Sequence, residues 1–328
     1  MKQMIAGLFS LLIFAALGLP APAAQEEAFY TFTFAGDCTF GCTPEIYYAQ
    51  MGFIKTVGDD YDYPFRNVRT YFEDDALTVV NLEGPLTDVG GRVEKTYNFR
   101  GPPEYAQILT RGSVEAVSVA NNHTLDYGPK GYAATLETLD RYGIPYVERD
   151  AGRLITLPDG LKVGLYGMVY YRYPTAEELR AAFAELKEQG AQVIIFLPHW
   201  GVEYSYTPNE VQIQTAHDAI DAGANIVCGS HPHVLQSIER YNGGIIYYSL
   251  GNFSFGGNAD PGDYDTALIR QTLRLDETGR VRLDDPEAVP ACVSSTTGWN
   301  NYQPTPYPEQ SEGYARVMEK LGLAETAE

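Results

Sequence analysis

The chain has 328 residues, 45% of them hydrophobic, enough to bury the core of one large α/β domain or of two ordinary ones. Its formal charge of −20 and pI near 4.6 exclude the basic footprint that nucleic-acid binding needs to displace phosphate counterions. The acidic residues are spread along the chain rather than gathered in a tail, which is a trait of solubility.

At the start, Lys2 precedes an apolar run from Met4 to Leu19, then Pro20 and the small residues Ala21-Pro22-Ala23-Ala24. Residues 1–23 therefore read as a secretory signal peptide, cleaved on export to the cell envelope or beyond. A retained anchor would need about 20 apolar residues, and this run is shorter.

Short β-branched and aromatic runs at 29–35, 76–82, 116–119, 162–168, 192–197, 225–228 and 245–250 predict strands. Several are nearly all apolar, as strands covered on both faces are. Between them, Gly128 and Gly143 bracket a helix expected from Pro129 to Tyr142. Thr175 and Glu178 form a capping box ahead of an apolar stripe at Leu179, Ala182, Phe183 and Leu186, closed by Gly190. Thr207-Pro208-Asn209-Glu210 repeats the device, with Pro208 expected at the first helical position.

Beyond Tyr264, runs at 266–275 and 280–283 flank Asp276-Glu277-Thr278-Gly279 and predict a β-hairpin. Residues 299–308 read as an irregular covering loop and 314–321 as a short amphipathic helix. The alternation predicts one layered α/β domain over 29–290, with 291–328 a covering loop and helix. Four cysteines, Cys38, Cys42, Cys228 and Cys292, are too few for a disulfide scaffold. Burial is their default reading, with a Cys38–Cys42 bridge as the alternative that export would permit.

Of the five histidines, four follow predicted strands: His123 after 116–119, His199 after 192–197, and His231 and His233 after 225–228. His217 falls inside a predicted helix and reads as an ordinary, partly satisfied side chain. Two acids share the strand-end placement, Asp37 in Ala35-Gly36-Asp37 and Glu83 in Asn81-Leu82-Glu83-Gly84. A lone loop histidine or acid is most often solvated or structurally paired. In an open α/β sheet, however, strand carboxyl ends form one rim where residues distant in sequence converge. His231-Pro232-His233 adds two imidazoles on an expected extended segment stiffened by its proline. Mixed imidazole and carboxylate donors suit Mn, Fe or Zn, which can ionise a bound water near neutral pH and so serve a hydrolase.

The series Gly36-Asp37, Asn81-Leu82-Glu83-Gly84, Asn121-Asn122-His123, His199-Trp200-Gly201 and Gly229-Ser230-His231-Pro232-His233, with Tyr248-Ser249-Leu250-Gly251-Asn252-Phe253, resembles the CapA family of bacterial capsule and poly-γ-glutamate synthesis proteins. That family is a branch of the calcineurin-like metallophosphatases, so the resemblance implies a layered α/β/β/α sandwich. It further implies one metal position held by Asp37 and His233, a second by Asn122, His199 and His231, and Glu83 bridging them. By the same likeness His123 is not a ligand but donates to a substrate oxygen, with Asp126 orienting it. Asp126 reads equally as a turn acid capping the following helix.

Two departures from the metallophosphatase pattern stand out. Thr39 occupies the place of a histidine, and Glu83 replaces a bridging aspartate, so either one or two divalent ions are expected. The implied function is a metal-dependent, phosphoesterase-like hydrolase acting on a phosphoester or on a γ-glutamyl or cell-wall amide. The alternative is a non-catalytic assembly or export factor for an anionic capsule polymer, working with membrane-bound synthesis partners. A plain sugar- or peptide-binding module is a third reading, suggested by the 25 tyrosines.

Overall fold

The computed structural model describes residues 27–46 and 51–324, so the signal-peptide reading at 1–23 lies outside the described residues. The chain builds two sheets in three passes. The first strands, β1 (Ala28–Thr39), β2 (Leu77–Leu82), β3 (Ala116–Ser118) and β4 (Tyr146–Val147), are parallel neighbours in that order. The chain then crosses to a six-stranded sheet of β5 (Ala151–Thr156), β6 (Lys162–Val169), β7 (Val193–His199), β8 (Ile226–Cys228), β9 (Ile238–Tyr241) and β10 (Gly244–Tyr247).

It returns to the first sheet with β11 (Asn252–Phe255), β12 (Asp265–Leu275), β13 (Val281–Leu283), β14 (Glu287–Cys292) and β15 (Thr305–Pro306). β12 lies antiparallel to β1 on one side and to β14 on the other, and β11 pairs parallel with the far end of β1.

The inner faces of the two sheets meet in one apolar layer that joins Phe32, Phe34 and Val79 to Val163, Ile195 and Tyr247. The outer face of the first sheet is covered by α1 (Phe53–Val57), α2 (Arg69–Glu73), α3 (Ala106–Arg111) and α4 (Gly128–Tyr142), through Phe53, Phe72, Leu109 and Leu139. The outer face of the second carries α5 (Ala176–Glu188) and α6 (Glu210–Ala222), through Leu179, Phe183 and Ala216. The result is the expected α/β/β/α sandwich. No described helix is long and apolar enough to cross a membrane.

Most predicted strands recur within a few residues of their expected bounds, and the capping box of α5 forms as read, Thr175 accepting from the Glu178 N–H. At α6 the expectation needs correcting. Asn209, not Thr207, caps the helix, accepting from the Gln212 N–H while Gln212 accepts from the Asn209 N–H. Pro208 therefore lies outside the helix. The predicted hairpin is β12–β13, paired through Leu273 and Leu283.

The C-terminal stretch is more than a cover, because β14 and β15 extend the first sheet. α7 (Glu312–Lys320) is tied down by Asp265, which accepts from Arg316 Nε at 2.6 Å and Lys320 Nζ at 2.7 Å. All four cysteines are free, which overturns the Cys38–Cys42 bridge. β1 runs unbroken through Cys38 to Thr39, and the Cys38 and Cys42 side chains are buried apart from solvent.

Candidate metal centre

The strand ends of both sheets meet at one buried polar focus between the sheets. Asp37 lies within β1 rather than after it, where its N–H donates to Gly251 O at 2.8 Å. Glycine is needed just before it, since a Cβ on Gly36 would stand 2.0 Å from Gly251 O. Glu83 leaves β2 beside it with 0% exposure, its N–H held by Cys38 O. His199 is the last residue of β7 rather than a loop residue.

His231 and His233 follow β8, but not on the expected extended segment: both have positive φ, 99° and 58°. Such backbone costs of order 1–3 kcal/mol for a residue other than glycine and persists only where the surroundings impose it. Here those surroundings include the His231 N–H donated to Asp37 Oδ2 at 3.3 Å.

Around Glu83 Oε1 stand His123 Nε2 at 3.7 Å, His199 Nε2 at 3.9 Å and His233 Nε2 at 3.9 Å. Asp37, Glu83 and His233 each offer a donor atom within 4.8 Å of the others. His233 Nδ1 donates to Asn252 Oδ1 at 2.9 Å and lies 3.3 Å from Asp37 Oδ2. On the other side, His199 Nε2 donates to Asn122 Oδ1 at 2.9 Å, and Ser230 donates to His199 Nδ1 at 2.8 Å. The His199 and His231 rings are 4.7 Å apart. All six residues expected to hold metal are thus gathered in one place.

His123 and Asp126 meet as well. The ring is stacked on Phe99 at 4.2 Å, and its Nδ1 donates to Asp126 Oδ2 at 2.6 Å. Asp126 also accepts from the Phe99 N–H at 2.7 Å and from Lys95 at 3.0 Å, so it is a buried acid shared by three donors rather than a helix cap. His217 lies elsewhere, stacked on Tyr241 and paired with Glu239 at 2.9 Å, as its ordinary reading predicted.

Several partners carry no sequence signal of their own. Asn81 donates to Asp37 Oδ1 at 2.8 Å and accepts from Asn121 at 3.1 Å. The period of two in β2, which sets Asn81 and Glu83 on one face, could have exposed it. Lys95 and Glu203 sit in irregular loops, where no periodicity points to them.

Whether these residues suit a cation can be judged from Glu83. Both carboxylate oxygens are buried without a hydrogen-bond partner, as are His231 Nδ1 and Thr39 Oγ1. A buried carboxylate left this way is costly unless a cation meets it, and three imidazoles with two carboxylates and an amide form a suitable donor set. Burial, reinforced by Asp37, pushes Glu83 up to about 8. Burial opposes charge on His233, yet the pull of Glu83 and Asp37 outweighs it and raises the ring to about 9. His199 is held well below its ordinary range by burial and its neighbouring histidines, and His231 is lowered to about 4 for the same reasons.

These shifts have a definite sign. In the metal-free fold Glu83 and His233 keep protons at a pH where their unfolded counterparts have lost them, so the stability they contribute disappears as pH rises through about 8 and 9. His199 and His231 are neutral in both states above pH 7, at about half a unit beyond the ordinary imidazole value, and drop out. The melting temperature of metal-free protein is therefore expected to fall between about pH 7 and pH 9, and that of metal-loaded protein to stay flatter because ligation displaces both protons. Parallel melting curves for the two forms would contradict the coupling.

Beside the centre opens a cleft of about 300 Å³, bordered by Tyr97, Phe99, His123, Glu203, Tyr204 and His233.

Residues 31–257 match the family model described as bacterial capsule synthesis protein PGA_cap. The PGA biosynthesis protein CapA of Bacillus subtilis is 31% identical over 302 residues, 84% of this chain and 76% of that protein. The capsule biosynthesis protein CapA of Bacillus anthracis is 29% identical, over 79% of this chain and 67% of that one. Among solved structures, the Haemophilus influenzae NAD nucleotidase aligns over 92% of this chain and 64% of its own, with a TM-score of 0.47 and 13% identity.

Proposed function

The chain belongs to the bacterial capsule synthesis protein PGA_cap family, and from that premise we propose that it is an exported metal-dependent hydrolase of capsule or poly-γ-glutamate synthesis. Its substrate class is a phosphoester or a γ-glutamyl or cell-wall amide. The observation that carries the reading is the Glu83 carboxylate, wholly buried, unbonded through either oxygen, and ringed by three imidazoles.

In this reading Asp37, Glu83 and His233 would hold one divalent Mn, Fe or Zn ion, and Asn122, His199 and His231, together with Glu83, would hold a second. Ions bound there would supply an ionised water near neutral pH and draw charge from a substrate oxygen. Asn81 and Ser230 fix the orientation of Asp37 and His199. Burial, helped by Lys95, holds the His123 ring below its ordinary range against the pull of Asp126, so the resting ring is neutral; Asp126 steadies a proton when the ring takes one, and the ring can pass it at Nε2 to or from a substrate oxygen. An anionic polymer end or a cell-wall peptide is the proposed partner.

A second reading, an assembly or export factor that keeps the fold without catalysis, draws on Thr39, which leaves the Asp37 position one imidazole short. The hydrolase reading needs metal. Purified wild type is expected to contain Mn, Fe or Zn, and a His199→Ala, His231→Ala double variant to lose the ion of the second position. Unchanged elemental content in the double variant would refute the ligand assignment.

A further inference from the structure

Glu203 belongs to neither ligand set of the proposed centre, yet its carboxylate, a His231 nitrogen and a His233 nitrogen lie within 4.8 Å of one another. The loop that carries it is pinned to the histidine segment on both sides. The Tyr204 N–H donates to Pro232 O, between the two histidines, at 2.8 Å. Gln236 Nε2 donates to Ser205 O at 2.7 Å. Tyr204 takes a positive φ of 61° where the loop turns.

Glu203 makes no hydrogen bond or salt bridge among the described residues. His231, with 5% exposure, has its Nδ1 buried and unpartnered. A carboxylate held this close to two imidazoles, one of them with an unmet nitrogen, has the composition of a three-donor cation position.

We propose that Glu203 is a cation ligand of this centre, adding its carboxylate to a divalent transition ion held by His231 or His233. The inference rests on the metal-centre reading and adds a donor to it. It places an additional donor on the exposed loop after β7, at the edge of the cleft, where a substrate carboxylate or phosphate could exchange with it.

Because Glu203 is exposed, Glu203→Gln should fold normally. Metal-free wild type, Glu203→Gln and Asp37→Asn would be titrated with Co²⁺, followed by visible absorption and calorimetry. Glu203→Gln is expected to bind at least about tenfold more weakly, with an altered Co²⁺ spectrum, since even indirect partners of a metal are worth roughly 10–100-fold. If Glu203→Gln matches wild type in affinity, stoichiometry and spectrum while Asp37→Asn does not, Glu203 is no ligand and the metal centre stands without it. If wild type takes up no Co²⁺, both readings fall together.

Discussion

In a Glu83→Gln variant, the rise in melting temperature that Zn²⁺ or Mn²⁺ produces in wild type is expected to vanish. An ion that binds only the folded state stabilises it by about 4 kcal/mol when present at about a thousand times its dissociation constant. For a domain of this size that is a rise of roughly 8–16 °C, at about 2–4 °C per kcal/mol. Glutamine keeps nearly the volume and shape of the side chain but lacks the charge that would bind and bridge ions. It also removes a buried carboxylate that no donor meets, so the metal-free variant should be no less stable than metal-free wild type at pH 8. A variant that still gained stability from either ion would show that Glu83 is not at the heart of a cation site.

His123→Ala should separate catalysis from assembly. The ring stands no farther from Glu83 than the proposed ligands, but its other nitrogen is held by Asp126 and its face by Phe99, and in the proposed reading it carries a proton rather than an ion. Its removal is expected to leave metal content within error of wild type while cutting hydrolysis of a generic phosphoester by about 10²–10⁴, the usual weight of a positioned proton donor or acceptor. Asp126→Asn, which keeps a partner for Nδ1 but not its charge, should fall between. Equal rates for wild type and His123→Ala, with both folded and metal-loaded, would favour the assembly role.

Much of this site is legible in the sequence because its donors sit at the ends of strands whose apolar runs are plain. Asp37, Glu83, His199, His231 and His233 were all reachable that way. What the pattern could not supply is the meeting of the two sheets. Asp37 and Glu83 come from one, His199 and His231 from the other, and only the packing of Phe34 and Val79 against Tyr247 and Ile195 brings them within bonding range. The bent path of His231-Pro232-His233 was misread as extended because proline says little about the residue after it, and because His231, which a following proline ordinarily keeps extended, takes its positive φ where its N–H is held by Asp37. Lys95 and Glu203 escaped notice because loop residues owe their positions to long-range hydrogen bonds. The Pro208 misplacement has a local cause: Asn209 and Gln212 offer a better reciprocal cap two residues after Thr207.

Cys38, Cys42 and Cys228 lie in the packed interior, and burial lifts each thiol far above the range where it would ionise, Cys42 to about 12. A sulfur attacks only as thiolate, so in the finished protein these three are inert to oxidants and to one another. Their exposure is confined to the interval before folding. In the oxidising space to which the proposed export leads, a chain that folds faster than its sulfurs can pair needs no isomerase to correct it, and one that lingers unfolded is liable to be trapped with Cys38 and Cys42 joined in a bond the native strand cannot hold.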